Sequence, residues 1–176
     1  MVLFNLFNKK RNREIPNKKI KEPKIYNITK LKDSQKISFT IFGQEKSLNV
    51  FSSGDSRFDE DGNYKDEVEF NQQELNLLNW LLNNIKLEDY IQEITDYCND
   101  RYQEISDIKI NKENISKEVS ITSIAISVRE NFKSYDSSEY PEISFYGECQ
   151  CDEEHGICIG FRDKNLLGIH SQDWVL

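Results

Sequence analysis

Several things are scarce in this 176-residue chain, and each shortage excludes a class of protein. Seven Gly and three Pro rule out collagen-like or low-complexity architecture, which needs far more of both. The longest apolar stretch, Leu77 to Leu82, is already broken by Asn79, whereas a membrane-spanning helix needs about 20 apolar residues. Four cysteines, Cys98, Cys149, Cys151 and Cys158, are too few and too uneven for a disulfide scaffold, so reduced thiols are expected. A leader for secretion is also missing from the pattern. Val2 to Phe7 is apolar but precedes the basic residues rather than following them, and it is short of the usual hydrophobic core of about 7–15 residues. The expectation is therefore a cytoplasmic protein.

What is present supports a folded domain. Hydrophobic residues make up 37% of the chain and aromatics 11%, enough core material for one domain at this length. Charge divides the chain in two. Met1 to Lys24 carries eight basic residues against Glu14 and Glu22, a balance of +6. With a total of -8, the remaining residues hold about -14. The division expected is a basic arm, 1–24, and a single domain, 25–176. So acidic a domain repels nucleic-acid phosphates and attracts a basic protein partner. For the arm, the alternatives are a loosely packed extension and a short amphipathic contact with the membrane surface.

Periodicity predicts the order of elements. Ile37, Phe39 and Ile41 alternate with Ser38, Thr40 and Phe42, which is a strand pattern. Lys46 to Phe51 follows as another strand after a turn at Gly43. Ile25 to Leu31 reads as an edge strand and Glu67 to Phe70 as a short one. Asn71 with Glu74 three residues later forms a capping-box pattern ahead of Leu75, Leu78, Leu81 and Leu82. A second helix is expected from Leu87 to Gln103, with Tyr90, Ile91, Ile94, Tyr97, Cys98 and Tyr102 on its inner stripe. Residues 106–117 are ambiguous, with room for one helical turn. The last third is strand-like: Val119 to Val128, Ile143 to Cys151, Ile157 to Arg162 and Leu166 to His170. Asp152 to Gly156 is expected as a tight connection in which His155 and Asp152 order the turn and Gly156 takes a positive φ. The fold class is α+β, an antiparallel sheet (N-terminal hairpin plus C-terminal meander) against a pair of helices.

The segment Tyr140 to Ile157, with its Asp152-Glu153-Glu154-His155-Gly156 core, resembles the C-terminal signature of an uncharacterised bacterial domain family. The preceding strands and the Leu-rich and Tyr-rich helices resemble that family in order and spacing. The resemblance implies a fold and supplies no catalytic residue. Some relatives resemble immunity proteins encoded beside bacterial toxins, which implies a toxin domain as the partner.

Three functional readings follow. The first is a non-enzymatic binding protein whose acidic surface docks on a basic partner such as a toxin. Its contact residues would be Asp55, Phe58, Asp59, Glu60, Asp61 and Tyr64 in a long polar loop, with Asp152, Glu153 and Glu154. A calcium loop there fails, because Gly62 at the sixth position puts Arg57 first and Val68 twelfth. The second is a metal-binding or thiol-dependent enzyme built on Cys149, Cys151, His155 and Cys158, four residue types that zinc accepts. Strand alternation opposes this set, since Cys149 and Cys151 share a face with Phe145 while Cys158 points away. As a thiol nucleophile the segment is disfavoured by its acidic neighbours. His170, Ser171 and Asp173 offer triad residue types without triad geometry. The third reading is a peripheral membrane protein held by residues 1–24. The first reading, with no enzyme activity and no cofactor, needs the least special geometry.

Overall fold

Alternating inward residues build the sheet, and a change to helical spacing builds the layer against it. A computed structural model describes residues 25–52, 63, 65, 68–102, 109–128 and 140–175. Among the described residues, six strands form one sheet in chain order: β1 (Gln35–Ile41), β2 (Gln44–Ser52), β3 (Val119–Ile126), β4 (Ile143–Cys149), β5 (Asp152–Arg162) and β6 (Asn165–His170). Between β2 and β3 run α1 (Gln72–Asn84), a 3-10 turn (Leu87–Tyr90), α2 (Ile91–Tyr102) and the short α3 (Ile115–Glu118). A final 3-10 turn spans Gln172–Val175. The architecture is α+β. Among the described residues no helix is long and apolar enough to cross a membrane.

The sheet is not wholly antiparallel. β2 and β3 run parallel, with Val50 opposite Ile124, and the other four junctions are antiparallel. Parallel neighbours need a long crossover, and the helical segment supplies it. This corrects the expectation of an antiparallel sheet throughout.

The capping residues read from the sequence are in place. Asn71 accepts from the backbone N–H groups of Gln73 and Glu74, and Glu74 accepts from the Asn71 N–H at 2.7 Å. Glu74 is nevertheless almost wholly buried, and its other oxygen accepts from the Ser52 hydroxyl at 2.6 Å, tying α1 to the end of β2. Leu75, Leu78, Leu81 and Leu82 of α1 and Ile94, Cys98 and Tyr102 of α2 join the same core as Phe39, Leu48, Val50, Ile124, Phe145 and Phe161. Phe145 packs between Phe39 and Phe161, with ring centroids 6.0 Å apart on each side. Tyr90 meets the Phe161 ring edge-on at 5.2 Å.

Two strand expectations are overturned. Residues 25–31 are not an edge strand: their backbone docks on α1, where the Asn79 amide exchanges two hydrogen bonds with Ile28 and the Asn83 amide two with Tyr26. Those carboxamides satisfy the N–H and C=O groups that a neighbouring strand would otherwise take. Of the expected strand at 67–70, residues 68–70 contribute a single bridge, Lys32 to Glu69, and Glu67 lies outside the described residues.

Candidate functional site

The described residues gather their chemistry at the turn between β4 and β5. Cys149 ends β4 and pairs with Asp152, the first residue of β5, leaving Gln150 and Cys151 as the whole connection. The expected connection at Asp152 to Gly156 is therefore strand, and the turn lies two residues earlier. The turn is held from below, since the Gln150 N–H donates to the Glu118 carbonyl at 3.0 Å.

The strand carries a large bulge. Gly147 pairs with Ile157 and Cys149 with Asp152, so one residue of β4 faces four of β5. Gly156 closes the bulge at φ +60°, a left-handed conformation that glycine adopts without steric cost. A Cβ there would collide with Gly147 O and with the Gln172 side chain, which itself donates to Gly147 O at 2.8 Å. Asp152 orders the bulge from within: its Oδ1 accepts from the His155 backbone N–H at 3.1 Å and lies 3.0 Å from His155 Nδ1. His155 Nε2 is 3.6 Å from Asp173. Hydrogen bonding to Asp152, aided by the charges of Asp152, Asp173 and Glu154, holds the His155 pKa above its ordinary value. Arg101 of α2 reaches to within 3.8 Å of Asp152 Oδ2 and lies over the Tyr97 ring.

Beneath the turn, three sulfurs converge. Cys149 and Cys151 form a disulfide, their Cα atoms 5.2 Å apart, which corrects the expectation of reduced thiols throughout. A Cys-x-Cys turn places the two Cα atoms within bridging range. Cys98 of α2 brings its Sγ to 3.6 Å from that of Cys149. All three sulfurs lie within 4.8 Å of one another and all three residues are buried. Burial, reinforced by Glu118, pushes the Cys98 thiol up to about 12. It is a poor nucleophile as it stands.

The set Cys149, Cys151, His155 and Cys158 does not converge. Cys158 pairs across the sheet with Tyr146 and shares that face with Ser144, opposite Phe145 and Cys149. His155 is turned to Asp152 and Asp173. Among the described residues, the cluster able to share one ion is Cys98, Cys149 and Cys151. Sequence spacing placed Cys98 and Cys149 each on an inward face, but it held no sign that the two meet. The triad types also separate: His170 stacks on Trp174 with centroids 4.0 Å apart, while Asp173 faces His155.

Beside Cys151 lies a hollow of about 570 Å³ lined also by Arg101, Gln150 and residues 152–155. Glu153 and Glu154 are exposed at its edge, whereas the Asp152 side chain is only 10% exposed. The other expected contact residues, Asp55, Phe58, Asp59, Glu60, Asp61 and Tyr64, lie outside the described residues, as does the 1–24 arm.

A family model described as a domain of unknown function, DUF6985, matches residues 21–176. No curated protein and no solved structure matches the chain.

Proposed function

The chain belongs to this DUF6985 family of unknown function, and from that premise we propose that it is a non-enzymatic binding domain whose acidic surface captures a basic protein partner. An immunity protein that neutralises a basic toxin domain, in the cytoplasm, is the form of this function we favour. The observation that carries the reading is the pair of exposed carboxylates at the β4–β5 turn, Glu153 and Glu154, which edge an open hollow with Asp152 behind them. The charge of the whole chain, -8, points the same way. Clustered carboxylates at an interface edge speed encounter with a cationic surface and select against anionic ones. The segment 55–64, where Phe58 and Tyr64 flank Asp59, Glu60 and Asp61, adds a second acidic stretch with candidate aromatic anchors to this reading.

The test begins with tagged protein used to capture partners from its host, eluted in salt steps and identified by mass spectrometry. Affinity for the purified partner is then measured by calorimetry from about 0.05 to about 0.5 M salt, a range that takes the screening length from over 10 Å to below 5 Å. The expected outcome is a single basic protein bound near one to one, weakening steeply with salt. Glu153→Lys with Glu154→Lys should weaken it further by about tenfold or more. An affinity indifferent to both salt and charge reversal sinks the reading.

A further inference from the structure

We propose that reduction of the Cys149–Cys151 disulfide opens a zinc site whose three protein ligands are the sulfurs of Cys98, Cys149 and Cys151. The inference is independent of what the acidic surface binds.

Geometry separates this from the other use of a thiol beside a disulfide. Displacement at sulfur runs in line, so an attacking Cys98 would sit about 5.6 Å from Cys151, the sum of the approach distance and an ordinary S–S bond. All three sulfurs instead lie within 4.8 Å of one another. Cys98 flanks the bond from the side, and the sulfurs outline a triangle rather than a line. Three sulfurs bound tetrahedrally at about 2.3 Å from zinc lie about 3.8 Å apart, and Cys98 and Cys149 stand at 3.6 Å already.

Charge selects the kind of ion. Three thiolates in a buried site leave a net -1 with a divalent cation and -2 with a monovalent one, and buried charge is costly. Thiolate ligands favour zinc over hard divalent ions such as magnesium or calcium. The described residues supply three sulfurs and no fourth donor in the cluster. Cys151 also lines the hollow, which leaves a water molecule from that side as the fourth ligand. Cys151 is itself only 2% exposed, so reductant and metal would enter from that side as the turn opens. The chemistry balances as two steps: a dithiol gives two electrons and two protons to the disulfide and becomes a cyclic disulfide itself. The three cysteine thiols then release three protons to solvent as zinc binds.

The test uses the full chain, reduced anaerobically and freed of reductant, and titrated with Zn(II) against a chromogenic chelator. One zinc per reduced chain is expected, and none at this site in the oxidised chain. Cys98→Ser should lose that uptake, whereas Cys158→Ala should keep it. X-ray absorption on the zinc-loaded wild type, which depends on no variant, should show three sulfurs near 2.3 Å and one lighter atom. No uptake after reduction, a shell of oxygen and nitrogen alone, or four sulfurs including Cys158 would each overturn the proposal.

Discussion

His155 shows how one side chain couples the β5 bulge to pH. Its ring lies between Asp152 and Asp173, and the bond to Asp152 is the leading reason its pKa is raised in the folded chain. The sign follows from linkage: a group that binds its proton more tightly when folded stabilises the fold while it is protonated. That contribution is fully present below the ordinary value of about 6.5 and fades as pH rises through the higher folded-state value. We therefore expect the melting temperature of wild type to exceed that of His155→Gln most at about pH 5.5 and least above about pH 8. Thermal melts of both proteins across that range provide the check. A gap that stays constant with pH would assign His155 a packing role instead.

At the scale of elements, the decisive contact is between α1 and the chain that precedes β1. Asn79 exchanges hydrogen bonds of 2.7 Å with both the N–H and the C=O of Ile28. Losing two partly buried bonds costs roughly 1–3 kcal/mol, and alanine returns about 0.5 kcal/mol through its better helix propensity. Asn79→Ala should thus lower stability by about 1–2 kcal/mol, read as a shift in urea midpoint at unchanged slope. Amides around residues 26–28 should exchange faster, while those of β3 and β4 keep their protection. Equal protection of residues 26–28 in the two proteins would mean that the segment is held by its side chains, Tyr26 and Ile28, which pack against the core.

For the whole molecule, the question is whether the disulfide or the core holds the fold. Cys149 and Cys151 are two positions apart, so the loop they close is very small and its entropic benefit is only about 1.5 kcal/mol. Against that stands one apolar cluster that spans β1 to β5 and both longer helices. Reduction in the presence of a chelator should leave the protein folded and lower its melting temperature by about 3–6 °C. Differential scanning calorimetry of the oxidised and reduced chains measures this directly. Cooperative melting lost on reduction would show that the turn, not the core, organises the sheet.

Much of the local structure was legible from spacing alone. The capping pair Asn71 and Glu74, the leucine stripe of α1, the inward face of α2 and the opposite orientations of Cys149 and Cys158 all follow from periods of two or 3.6 residues. Such signals reach only a few residues along the chain. The parallel junction of β2 with β3, the docking of residues 25–31 on α1 and the early turn at Gln150-Cys151 were not legible. Each depends on which distant group satisfies a backbone or fills a volume. The candidate site divides the same way. Its acidic residues and cysteines stand in plain view in the sequence, but Cys98 lies 51 positions from Cys149. Helical and strand periodicity set each of those side chains facing inward, and only the packing of α2 on the end of β4 brought the two sulfurs together.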